Sequence, residues 1–149
     1  MKKLLGLVFL MLIFLSATES ASTDLNLFHS IEGTWELVSF YNYDDEGHIS
    51  DTIPKEPGYR QVKMFYNSRV MWSRYVPNDP NGRFGYGTYF ITSDELHETI
   101  VYGDDNMMKA LDTVTEFVFE LNLRDDRYSQ INVDEEGYRI SSENYKRID

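Results

Sequence analysis

The chain has 149 residues, with 14 Lys and Arg against 25 Asp and Glu for a formal net charge of −11. That balance repels nucleic-acid phosphates and anionic membrane surfaces, so nucleic acid is excluded as a partner, and solubility is the simplest use of the charge. No cysteine occurs, which excludes disulfides, a thiol nucleophile and a thiol-linked lipid anchor and leaves stability to burial alone.

Met1-Lys2-Lys3 is a basic start, Leu4 to Leu15 is an unbroken apolar run, and Ser16 to Ser22 is rich in small residues. This is the layout of a secretory signal peptide over residues 1–20. The apolar run is shorter than the about 20 residues a helix needs to cross a bilayer. The protein is therefore expected to be secreted or periplasmic, with no stable membrane insertion after cleavage; an uncut N-terminal anchor is the alternative. One domain is expected over residues 24–149. Most of the chain's 9 Phe and 11 Tyr lie in it, a composition that suits strands better than helices.

The domain opens with Asp24 to Ile31, where Leu25, Phe28 and Ile31 recur at a spacing that suits one or two helical turns. Gly33 then precedes a strand over Thr34 to Tyr43. Trp35, Leu37 and Tyr41 share one face and Val38 and Phe40 the other, as in a bent strand serving two regions of sheet. Asp44 to Gly47 is a turn, and His48 to Gly58, with Pro54 and Pro57, reads as an irregular loop.

Tyr59 to Tyr66 is the second strand, with Val62, Met64 and Tyr66 alternating. Asn67-Ser68 turns the chain into a third strand over Arg69 to Val76, whose Val70, Trp72, Arg74 and Val76 share a face. After the turn-rich Pro77 to Gly82 comes Arg83 to Thr92, with Gly85 and Gly87 on one face, the mark of a sharp bend or a close backbone approach. Glu95 to Tyr102 is the fifth strand. Gly103 to Asp112 is a helical turn or a loop. Thr113 to Leu123 alternates most cleanly, through Phe117, Phe119, Leu121 and Leu123; Arg127 to Val133 and Tyr138 to Ile148 complete the set. Eight strands with short connections predict an all-β, antiparallel, up-and-down barrel. Such a barrel has room for its own side chains and at most one small ligand.

Gly33-Thr34-Trp35 at the head of the first strand resembles the signature of the lipocalins, within the calycin superfamily. In lipocalins a short helical turn precedes that motif, as Asp24 to Ile31 does here. Met71 to Tyr75, Gly85 to Tyr89 and Glu98 to Gly103 resemble the secreted bacterial lipocalin-like domains of unknown function. The resemblance covers residues 25 to 148. The chain departs from the family in having no cysteines to pin a terminus, a shorter length and no long C-terminal helix. The bacterial branch therefore fits better than the well-studied transporters, whose ligands are not carried over. The resemblance implies a closed end built on Gly33, Trp35 and a basic residue of the last strand stacked on the indole. Arg147 is the candidate, since Lys146 faces the other way on a regular strand.

Trp72 and Arg74 point to one side of their strand. If that side is the interior, Arg74 needs a counter-charge from Glu98, from Glu116 or from an anionic ligand. Tyr86, Tyr89, Tyr102 and Tyr128 offer apolar bodies with polar tips of the kind that line pockets, though tyrosine is also an ordinary strand residue. The expected ligand wall is Trp72, Arg74, Tyr86, Glu98 and Tyr102.

His29, His48 and His97 lack metal-ligand spacing, and the acidic turns at Asp104 and Asp134 lack that of a calcium loop. No nucleophile elbow or zinc-protease motif occurs. No cofactor or metal is expected. The reading is an exported, non-enzymatic protein, monomeric or weakly dimeric, that holds a small hydrophobic or amphipathic molecule in its barrel. A protein-binding module with a filled barrel is the alternative. An isomerase-type enzyme with Glu98 and Glu116 facing each other inside is the third reading.

Overall fold

A computed structural model describes residues 30–149. The signal-peptide stretch and all of the Asp24–Ile31 segment except Ser30 and Ile31 lie outside the described residues. Nine strands and one helix are described: β1 (Gly33–Tyr43), β2 (Ile49–Pro54), β3 (Arg60–Tyr66), β4 (Arg69–Tyr75), β5 (Arg83–Ile91), β6 (Glu95–Gly103), α1 (Asp105–Leu111), β7 (Glu116–Leu123), β8 (Arg127–Val133) and β9 (Arg139–Arg147). They form one antiparallel sheet in the order β2-β1-β3-β4-β5-β6-β7-β8-β9, and β1 also pairs with β9. The sheet thus closes on itself.

The count of eight strands is corrected to nine. The addition is β2, which falls in the stretch expected to be an irregular loop. All six of its residues are exposed, so no face is buried and no alternation marks it in the sequence. It pairs with the second half of β1, from Ser39↔Pro54 to Tyr43↔Ile49, while β3 takes the first half of the same edge and β9 runs along the other. The first strand does serve two regions, as its pattern suggested.

Two bulges reset which residues face inward. In β1 the register passes from Leu37↔Tyr145 to Ser39↔Asn144, leaving Val38 unpaired with β9. Phe40, not Tyr41, therefore joins Trp35 and Leu37 on the inner face, and it packs against the core. In β6 the register passes from Gly87↔Ile100 to Tyr86↔Tyr102, with Val101 the extra residue. A side chain at Gly87 would overlap the Thr99 carbonyl, so this bend requires glycine.

Asn67 and Ser68 both have positive φ, 47° and 58°, which makes the β3–β4 connection a two-residue hairpin turn matched to the twist of the strands. That turn places Lys63 opposite Trp72 and Gln61 opposite Arg74. The inner face of β3 is accordingly Gln61, Lys63 and Phe65, all buried, while Met64 and Tyr66 are exposed. The core proper contains Ile31, Trp35, Leu37, Phe65, Val70, Leu96, Ile100, Leu121, Tyr128 and Tyr145.

Candidate functional site

The two ends of the closed sheet differ in chemistry. At one end Trp35, fully buried, lies edge-on to Tyr128 at 4.9 Å, and Tyr128 stacks on Tyr145 at 4.7 Å. The Arg147 guanidinium sits 4.1 Å from the centre of the Trp35 indole. It also donates to the carbonyls of Asp125 (2.9 Å), Glu32 (2.6 Å) and Ser30 (2.8 Å). The Trp35 Nε1–H donates to the Ile31 carbonyl at 2.8 Å. Gly33 has φ +134°, and a side chain there would overlap Arg147. The glycine is needed because the guanidinium passes over its backbone. This end is solid.

At the other end a partly open cavity of about 180 Å³ remains. Its apolar wall is Ile100, Phe117, Phe119 and Trp72, with Met107 contributed by α1. The helix is positioned by Asp104, whose carboxylate accepts from the N–H groups of Asn106, Met107 and Phe84 and from Arg83 Nε. Burial pushes the Asp104 carboxyl up, but those hydrogen bonds outweigh it and hold the group below its usual range. Gly85 faces Trp72 so closely that a side chain would overlap the indole, which therefore lies against bare β5 backbone.

The other wall is charged. Lys63 and Glu98, each only 3% exposed, meet at 2.8 Å between Nζ and Oε1. Lys63 also donates to Gln130 Oε1 at 2.7 Å, and its ammonium stands 5.8 to 5.9 Å from the rings of Phe65, Phe119 and Tyr145. Glu143 is the second acid. It accepts from Gln61 (2.9 Å), Gln130 (3.1 Å), the Tyr145 hydroxyl (2.5 Å) and Arg74 (3.4 Å). Gln61 Oε1 in turn accepts from Arg74 Nε and the Tyr59 hydroxyl, both at 2.7 Å. Burial first, and then nearby acids including Glu143 and Glu98, drive the Tyr128 and Tyr145 phenols well above their ordinary range. Burial also raises Tyr59, with Arg74 opposing it.

Of the five residues expected to form a ligand wall, Trp72, Arg74 and Glu98 line this cavity. Tyr86 and Tyr102 do not. They stand on the outer face as a pair 5.2 Å apart, with Tyr102 half exposed. The β6 bulge is the reason: unbroken alternation from Glu98 would have turned Tyr102 inward. Glu116 is also outside, 3.5 Å from His97, so it does not face Glu98 across the interior. Arg74 finds its acid in Glu143 instead. Lys63, Gln61, Gln130 and Glu143 were not singled out in the sequence. The usable signal was the Asn67-Ser68 turn: once Trp72 and Arg74 are placed inward, a two-residue loop obliges Lys63 and Gln61 to face inward with them. Among the described residues no group of three or more His, Cys, Asp or Glu is placed to hold a metal.

No family model matches the sequence, and no curated protein matches it. Two solved structures are similar in fold. A lipocalin-like protein from Bacteroides uniformis is 13% identical with a TM-score of 0.55, over 78% of this chain and 97% of that one. An uncharacterized protein from Bacteroides eggerthii is 14% identical with a TM-score of 0.52, over 80% of this chain and 100% of that one. At such identity the likeness speaks for the fold, which is lipocalin-like.

Proposed function

We propose that this chain is an exported binding protein that holds one small amphipathic molecule at the open end of a lipocalin-like β-barrel. The observation that carries the proposal is the division of the cavity into an aromatic wall and a charged one. A buried ion pair adds little or nothing to stability compared with apolar side chains of the same volume. Lys63 and Glu98 are therefore poor filler but good recognition groups, able to orient a guest against Phe117, Phe119 and Met107. Trp72, Arg74 and Glu98 are the binding residues of this reading, and export rests on the residue 1–20 pattern.

The test is a panel of small amphipathic amines, acids, alcohols and amides, titrated calorimetrically against the protein and against Met107→Trp, which fills the cavity. Binding to the first and not the second is expected. Failure of every compound to bind, with unchanged stability in Met107→Trp, would refute the reading.

A second reading, a protein-binding surface, has one observation in its favour. Met64, Met71, Tyr86 and Tyr102 are consecutive partners across β3 to β6 on the outer face, and Met64, Met71 and Tyr102 are exposed.

A further inference from the structure

Resting on that cavity reading, we infer the class of guest: a small ω-amino acid, with its ammonium on Glu98 and its carboxylate on Arg74. Glu98 uses one carboxylate oxygen, Oε1, on Lys63; its Oε2 has no partner among the described residues, although the side chain lines the cavity. The free oxygen of a carboxylate that lines the cavity can accept from a donor on the guest. Arg74 shows the converse. Its Nε and one terminal nitrogen are engaged by Gln61 and Glu143, and the remaining terminal nitrogen has no partner among the described residues. A third of this side chain is exposed, which puts it at the mouth, where it can take an anionic end.

Spacing and charge narrow the class. Glu98 bonds at the level of Lys63, and Arg74 at the level of Gln61 two residues along β3. That step is about 7 Å of strand rise, so the donor and acceptor of the guest sit several bonds apart. The four charged groups on the wall, Lys63, Arg74, Glu98 and Glu143, cancel one another. A guest with both charges preserves that balance, whereas a lone amine or a lone acid leaves a buried net charge. The cavity, about 180 Å³, is small beside the roughly 300–1,000 Å³ of pockets for drug-sized ligands, which favours a short chain over a long acyl tail. The methylenes between the two ends would lie on Phe117 and Phe119.

Four probes of nearly equal size decide the matter by calorimetry on the intact domain: 5-aminopentanoate, its isomer 2-aminopentanoate, pentylamine and pentanoate. The expected result is that 5-aminopentanoate binds about tenfold or more tighter than each of the others. Arg74→Gln should reduce it to the level of pentylamine and leave pentylamine unchanged. Glu98→Gln should reduce 5-aminopentanoate to the level of pentanoate; should that variant fail to fold, the four-probe ranking on the unaltered protein still decides. Equal affinities for the four, or tighter binding of pentylamine or pentanoate, would overturn the inference while leaving the cavity reading intact. The same holds if none of the four binds but other compounds of the amphipathic panel do. If the whole panel fails as well, the cavity reading fails with it.

Discussion

Replacing Lys63 by Met removes one half of the ion pair and strands Glu98 in a site where both side chains are 4% exposed. A carboxylate left there loses its Lys63 bond and keeps no other partner among the described residues. Breaking a buried pair in this way costs about 3–5 kcal/mol, most of it the desolvation of the group left behind. For a domain of this size that is a fall in Tm of about 10–20 °C. Glu98→Leu alone should cost a similar amount, because it strands the ammonium, with Gln130 still accepting from it. The double variant Lys63→Met with Glu98→Leu strands nothing and adds apolar contact with Phe119 and Ile100. It should recover to within about 1 kcal/mol of the unaltered protein, or exceed it. Urea unfolding of all four proteins, with the slope m held constant across them, measures the coupling directly. If the double variant is as unstable as the sum of the singles, the coupling is zero, each side chain stabilises the fold in its own right, and the case for their serving recognition falls.

Three further outcomes follow from the geometry. Gly33→Ala forces a side chain into the space of the Arg147 guanidinium at φ +134° and should destabilise by about 2–3 kcal/mol in urea unfolding; combined with Arg147→Ala it should cost less than the sum, since the obstruction is gone. Asp104 is held below its usual range, so the unfolded chain binds its proton first on acidification; its contribution is complete above the ordinary carboxylate range and is lost as pH falls through its lowered value. Asp104→Asn should therefore cost about 1 kcal/mol near neutrality and flatten the acid limb of a stability-against-pH curve. Tyr128 and Tyr145 have raised folded values, so stability should decline as pH rises past the ordinary phenol range, and absorbance titration should find both phenols silent until the protein unfolds.

What the sequence disclosed was decided by which residues have only one plausible environment. Phe117, Phe119, Leu121 and Leu123 alternate with mostly polar neighbours, and β7 lies where they say. Trp35 and Arg147 meet as the lipocalin resemblance implied. β2 was illegible because a strand exposed on both faces carries no burial pattern. Tyr102 and Phe40 were misplaced because a bulge shifts parity by one residue and leaves no mark in composition. The charged wall was hidden for a different reason. Sequence patterns assign Lys, Gln and Glu to the solvent, and here Val62, Met64 and Tyr66 on the same strand supplied a more apolar face that in fact points outward. Only hairpin register, carried from one strand to the next, could have reversed that assignment.

The circuit of strands joins the beginning of the domain to its end, with Trp35 opposite Arg147 and Ile148 N–H bonded to the Thr34 carbonyl at 2.9 Å. A growing polypeptide cannot make that seam until β9 exists. Every earlier stage carries two unzipped borders, along β1 and β8, ready to capture a neighbouring molecule. Deleting residues 139–149 should thus turn a discrete particle into an aggregating one, even though most of its core residues would still be present.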